Sequence, residues 1–75
     1  MLTSNSELKA VGRVVRTLRD SRKMSVNELA SRSAISAATV EQIESGLHDI
    51  TLLEVVALAK ALGTNSEALL AGANL

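Results

Sequence analysis

Apolar positions along this 75-residue chain fall at intervals of three and four, with no stretch of sustained strand-like alternation. Leu8, Val11, Val15 and Leu18 form one such stripe, as expected of an amphipathic helix with a single buried face. Val40 and Ile43 repeat the spacing further on, and residues 52–59, LLEVVALA, are apolar almost all round. Four times a Ser or Thr is followed three residues later by Glu: Ser4–Glu7, Ser25–Glu28, Thr51–Glu54 and Thr64–Glu67. That spacing predicts a capping box, in which hydroxyl and carboxylate satisfy reciprocal backbone donors at a helix start. Ser36 supplies a further N-cap, and Gly46, Gly63 and Gly72 stand where helices should stop. The pattern predicts five helices, at about 5–22, 26–32, 37–45, 52–62 and 65–71, in one all-α domain with an ordered core over about 5–72.

Two charges break the helical pattern. At about 100° per residue Arg19 falls beside the apolar stripe of the first helix, away from Lys9, Arg13, Arg16 and Asp20. Glu44 falls on the core side of the third helix beside Val40, whereas Glu41 points outward with Ala38, Gln42 and Ser45. A lone buried charge is costly, so two misplaced charges of opposite sign predict an Arg19–Glu44 salt bridge between these helices.

Composition narrows the chemistry. Phe, Tyr and Trp are absent, so the core must be aliphatic; with no Cys and one His there is no disulfide and no expected metal or cofactor site. No paired base and nucleophile stand at a plausible spacing, which argues against an enzyme. The N-terminus lacks the apolar run of a signal peptide and no segment approaches the roughly 20 apolar residues of a membrane span, so a cytoplasmic protein is expected. Net charge is zero but unevenly spread: residues 7–23 carry six basic and two acidic residues, whereas residues 24–75 carry two basic and six acidic. A basic face is therefore compatible with a neutral chain. A chain this short is marginally stable alone, which favours self-association.

Residues 26–45, VNELASRSAISAATVEQIES, have the layout of a helix-turn-helix: small Ala30 at the crossing, Ile35 and Val40 clamping the second helix on the first, and Ile43 plugging the core. The wider frame, from VVRTLR (14–19) through MSVNELA (24–30) and TVEQIESG (39–46) to LAKALG (58–63), resembles the phage repressor and Cro family, also called XRE-type regulators. The resemblance covers about residues 8–72 and implies a five-helix lambda-repressor-like fold. It also implies an Arg–Glu pair at the positions of Arg19 and Glu44. The chain departs from the family at Val26, where Gln is usual, at Ala34, where Gly is usual, and at Ser33, which replaces an apolar residue. The stretch HDITL (48–52) is similar to the small restriction–modification controller proteins of the family.

The resemblance implies a DNA-binding transcriptional regulator, a repressor or controller, that binds a palindromic operator as a homodimer with its third helix in the major groove. Carried over by position, the base-facing residues are Ser36, Ala37, Ala38, Thr39, Glu41 and Gln42. With no Lys or Arg among them, Gln42 can pair with adenine, Glu41 can accept from cytosine N4, and the small residues can pack on thymine methyl groups. An A·T-leaning site read partly through DNA shape is expected. Phosphate contacts then fall to Arg13, Arg16, Arg22 and Lys23, with Ser25 and Asn27 at one helix start and Ser45 and His48 after the third helix. Leu47, Ile50, Leu53, Val56, Leu69 and Leu75 are candidates for the dimer seam. No small-molecule ligand is expected in a single domain of this size. The competing reading is a helix-turn-helix module turned to protein binding, such as an antitoxin or anti-regulator, suggested by the cation-free third helix and Val26.

Overall fold

A computed structural model describes residues 4–74. It contains five helices: α1 (Asn5–Ser21), α2 (Val26–Ser33), α3 (Ala37–Glu44), α4 (Leu52–Ala61) and α5 (Ser66–Gly72). No strand occurs among the described residues. Helix α1 packs against α3 and α5, α2 against α3 and α4, and α4 against α5, within principal extents of 27 × 23 × 19 Å.

The helix starts follow the predicted caps with one shift. Ser4, Ser25, Ser36 and Thr51 each accept the backbone N–H three residues on. Among the described residues, only Thr51–Glu54 forms the reciprocal box, with Glu54 accepting the Thr51 N–H at 2.9 Å. At α5 the cap is Asn65, which accepts from Ala68 at 2.8 Å, so the Thr64–Glu67 pairing expected from spacing does not form. An Asx side chain is at least as good an N-cap as Thr, and the helix starts one residue later to use it.

Gly46 and Gly63 both take φ of +75° after α3 and α4, as their positions require. Gly72 does not: it is the last residue of α5, and Asn74 takes the left-handed conformation instead. Gly72 instead lets α5 approach α1, where an added Cβ would lie 3.3 Å from Val14. The left-handed residue after α1 is Lys23, at φ 55°.

The core is aliphatic throughout. Val11 and Val15 of α1, Leu29 of α2, Val40 and Ile43 of α3, Val55 and Leu58 of α4, Leu62 and Leu69 meet in one cluster with Ile50. Leu8, Leu18, Val26 and Ile35 are half-buried against it. Fully burying side chains of this kind contributes about 1.5–3 kcal/mol each. Two expected dimer-seam residues are corrected here: Ile50 and Leu69 are 2% and 1% exposed, so this chain's own core consumes them. Leu75 lies outside the described residues.

Candidate nucleic-acid interface

The turn between α2 and α3 is built from backbone geometry and one buried hydroxyl. Ser33 is buried and donates to the Leu29 carbonyl at 2.7 Å, which is why a polar residue is tolerated where an apolar one is usual. Ala34 then takes φ 59°, ψ 28°, the left-handed region, and caps α2. A residue with a Cβ is strained there by about 1–2 kcal/mol. Ser36 starts α3 by accepting the Thr39 N–H at 3.1 Å and donating to the Thr39 hydroxyl at 2.8 Å.

This arrangement thins the base-facing set. Ala38, Glu41, Gln42 and Ser45 are exposed along one face of α3 and its C-cap, while Ala37 and Thr39 are half-buried. The hydroxyls of Ser36 and Thr39 are engaged with each other. Glu41 and Gln42 are thus the longer polar side chains that the helix presents outward. At the start of α2, Ser25 is committed to its cap, Val26 is half-buried and Asn27 is exposed.

Beyond the shared aliphatic core, a buried ion pair and a close backbone approach hold α3 to α1. Arg19 donates to both Glu44 oxygens, from Nε at 2.7 Å and Nη2 at 3.1 Å, and from Nη1 to the Met24 carbonyl at 2.8 Å. The hydrogen bond to Glu44 raises the Arg19 pKa against the opposing effect of burial, aided by the charges of Glu44 and Asp20. Two turns back along α1, Gly12 lies against the C-terminal end of α3, where a Cβ would run into the Ile43 and Glu44 carbonyl oxygens. Neither composition nor periodicity singled out Gly12; a glycine on the buried side of an otherwise good helix is the signal that marks it.

The expected phosphate-contacting cations are all exposed, but they are spread around the molecule. Arg16 adjoins the α3-facing strip of α1 and lies 4.0 Å from Asp20. Arg13 lines a groove between α1 and α5 with Thr17 and Asn74. Arg22 lines a different hollow, with Arg32 and Gly63 near the end of α4. A further cation beside α3 is Lys9, whose stem packs over Gly46 just after the helix. His48 pairs within the chain: its Nε2 lies 3.0 and 3.1 Å from the two Glu54 oxygens. Burial pushes the Glu54 carboxyl up, but the Thr51 N–H and the His48 ring outweigh it and hold it below the ordinary carboxylate value.

Apolar residues remain uncovered on the same molecule. Leu47 is 79% exposed and Leu53 82%, with Leu52 and Val56 at 54% and 36%. Leu52, which the sequence pattern did not single out, therefore joins Leu47, Leu53 and Val56 as exposed apolar surface around the start of α4.

A short helix pair joined by a left-handed turn, with the second helix braced on its inner side and open on its outer side, defines a helix-turn-helix domain. The chain matches the family model described as "Helix-turn-helix domain" over residues 10–72. It belongs to that helix-turn-helix family. It is 44% identical over 39 residues to the HTH-type transcriptional repressor RghR of Bacillus subtilis, a match that covers 52% of this chain and 29% of that protein. In structure it is similar to the restriction-modification controller protein C.AhdI of Aeromonas hydrophila, with a TM-score of 0.80 and 29% identity, covering 83% of this chain and 94% of that one. It also shares the fold of the clp gene regulator ClgR of Corynebacterium glutamicum, with a TM-score of 0.85 and 24% identity, covering 91% of this chain and 88% of that one. Among the described residues no helix is long and apolar enough to cross a membrane.

Proposed function

We propose that this chain is a repressor or controller that binds a two-fold symmetric operator as a homodimer, with α3 of each protomer in the major groove. The observation that carries this reading is the outward face of α3: Ala38, Glu41 and Gln42 are exposed, and the inward face is locked to α1 through Glu44 and Arg19. The N-termini of α2 and α3 add backbone donors to phosphate, and exposed Arg16 and Lys9 supply side-chain cations beside α3. Arg13, Arg22 and Lys23 add positive charge more remotely. Leu47, Leu52, Leu53 and Val56 form the seam between protomers, which doubles the contact with DNA that one short domain makes alone.

Selection of bound duplexes from a random DNA pool at low salt, followed by salt titration of the winners, tests the reading. The expected result is a palindromic, A·T-leaning consensus whose affinity falls with salt. Replacing Arg16 and Lys9 by Ala should weaken binding to all duplexes alike without changing preference. No enrichment at about 50 mM salt favours the second reading, a protein-binding helix-turn-helix. One observation supports that alternative: no Lys or Arg occurs between Arg32 and Lys60, the span that holds α3 and the exposed leucines.

A further inference from the structure

Resting on the assignment of α3 as the DNA-reading helix, we propose that Glu41 sets sequence preference by exclusion, admitting cytosine and rejecting the other bases at its position in each half-site. Three other carboxylates are partnered: Glu28 with Arg32, Glu44 with Arg19 and Glu54 with His48. Glu41 is exposed, and its carboxylate has no hydrogen bond or ion pair among the described residues. Set into a groove between two phosphate backbones, an uncompensated carboxylate weakens binding to every sequence. A residue with that effect is useful only through the choices it enforces.

The chemistry of the choice is narrow. An ionised carboxylate only accepts hydrogen bonds, so it suits the amino groups of cytosine and adenine and is repelled by guanine O6 and N7 and by thymine O4. The adenine amine lies beside its own N7 acceptor, whereas the cytosine amine has a carbon-bound hydrogen on that side. Cytosine is therefore the base that a single carboxylate tolerates best. The neighbours cannot rescue a mismatch. Ala38, one turn earlier on the same face, offers only a methyl group, and the Ser36 hydroxyl already donates to Thr39. Gln42 lies about 100° further round the helix, so its amide addresses a different base.

Glu41→Gln tests this, because an amide both donates and accepts and so suits any base pair. Equilibrium binding of the full chain is measured on the selected duplex, on single-pair replacements of it and on an unrelated duplex, all at one salt concentration. The wild type should discriminate about tenfold or more at one symmetric pair containing cytosine. Glu41→Gln should reduce that to less than about threefold while binding the unrelated duplex about threefold or more tighter. Glu41→Ala should share the tighter binding to the unrelated duplex. Helix content should be unchanged in both variants, because the side chain has no partner to lose. A Glu41→Gln protein that keeps the wild-type pattern, or binds both duplexes more weakly, overturns the inference and leaves the α3 assignment standing. A wild type that selects no duplex overturns both.

Discussion

Arg19 and Glu44 are joined by two parallel hydrogen bonds with side-chain exposures of 13% and 9%, and this pair fixes helix α3 to helix α1. Glu44→Ala strands the guanidinium in that site, and a stability loss of about 3 kcal/mol is expected by urea denaturation. A loss under about 0.5 kcal/mol would show that the pair holds nothing. Replacing both residues by apolar ones of similar volume should recover most of the deficit.

At Gly12 the two helices touch through backbone. Gly12→Ala places a methyl group against the Ile43 and Glu44 carbonyl oxygens, which cannot swing aside as a side chain would. A destabilisation of roughly 2–3 kcal/mol is expected despite the better helix propensity of Ala. A gain in melting temperature would place the α1–α3 contact elsewhere.

Ala34 is the reverse case. Its left-handed backbone is strained by its own Cβ, and Ala34→Gly relieves that strain while losing some unfolded-state restriction. The balance favours the variant by about 0.5 kcal/mol, seen as a rise in the thermal midpoint. A fall would mean that the turn relies on the Ala34 side chain.

The Glu54 carboxyl titrates below its ordinary value of 4.5 in the folded chain. Its contribution to stability is thus fully present above that value and is lost as pH falls through the lowered one, because the unfolded chain then binds the extra proton. Denaturation curves taken from neutral to acid pH should steepen in their loss below about pH 4.5 for the wild type. Glu54→Gln should flatten that acid limb, and an unchanged limb would assign the acid sensitivity to other carboxylates.

Leu53 is 82% exposed on α4. If it lies in a seam between two copies, Leu53→Asp should raise the dissociation constant of the dimer about tenfold or more in sedimentation equilibrium. Helix content should stay constant. Wild-type protein that sediments as a monomer at all concentrations would remove the seam.

The five helices are legible in the sequence because caps and stripes are local: Ser25, Ser36 and Thr51 announce their helices within four residues. Arg19 and Glu44 are legible for a different reason, since charge on an apolar face demands a partner. The α5 cap is ambiguous because Thr64 and Asn65 are both good N-caps and only the packed helix decides between them. The division of the leucines is not legible at all. Ile50 and Leu53 look alike as apolar residues near the start of one helix, yet one is 2% and the other 82% exposed. Only the path of the chain between α3 and α4 separates them. The same holds for the cations, whose distribution between the α1–α5 and α2–α4 grooves depends on how the helices cross.

The close approach at Gly12 has a consequence for which substitutions leave α3 in place. Where two helices meet through a glycine and a pair of carbonyls, their separation is a dimension of the main chain, not of any side chain. Substitutions along the outer face of α3 then change its chemical alphabet while its depth and tilt relative to α1 stay as they are.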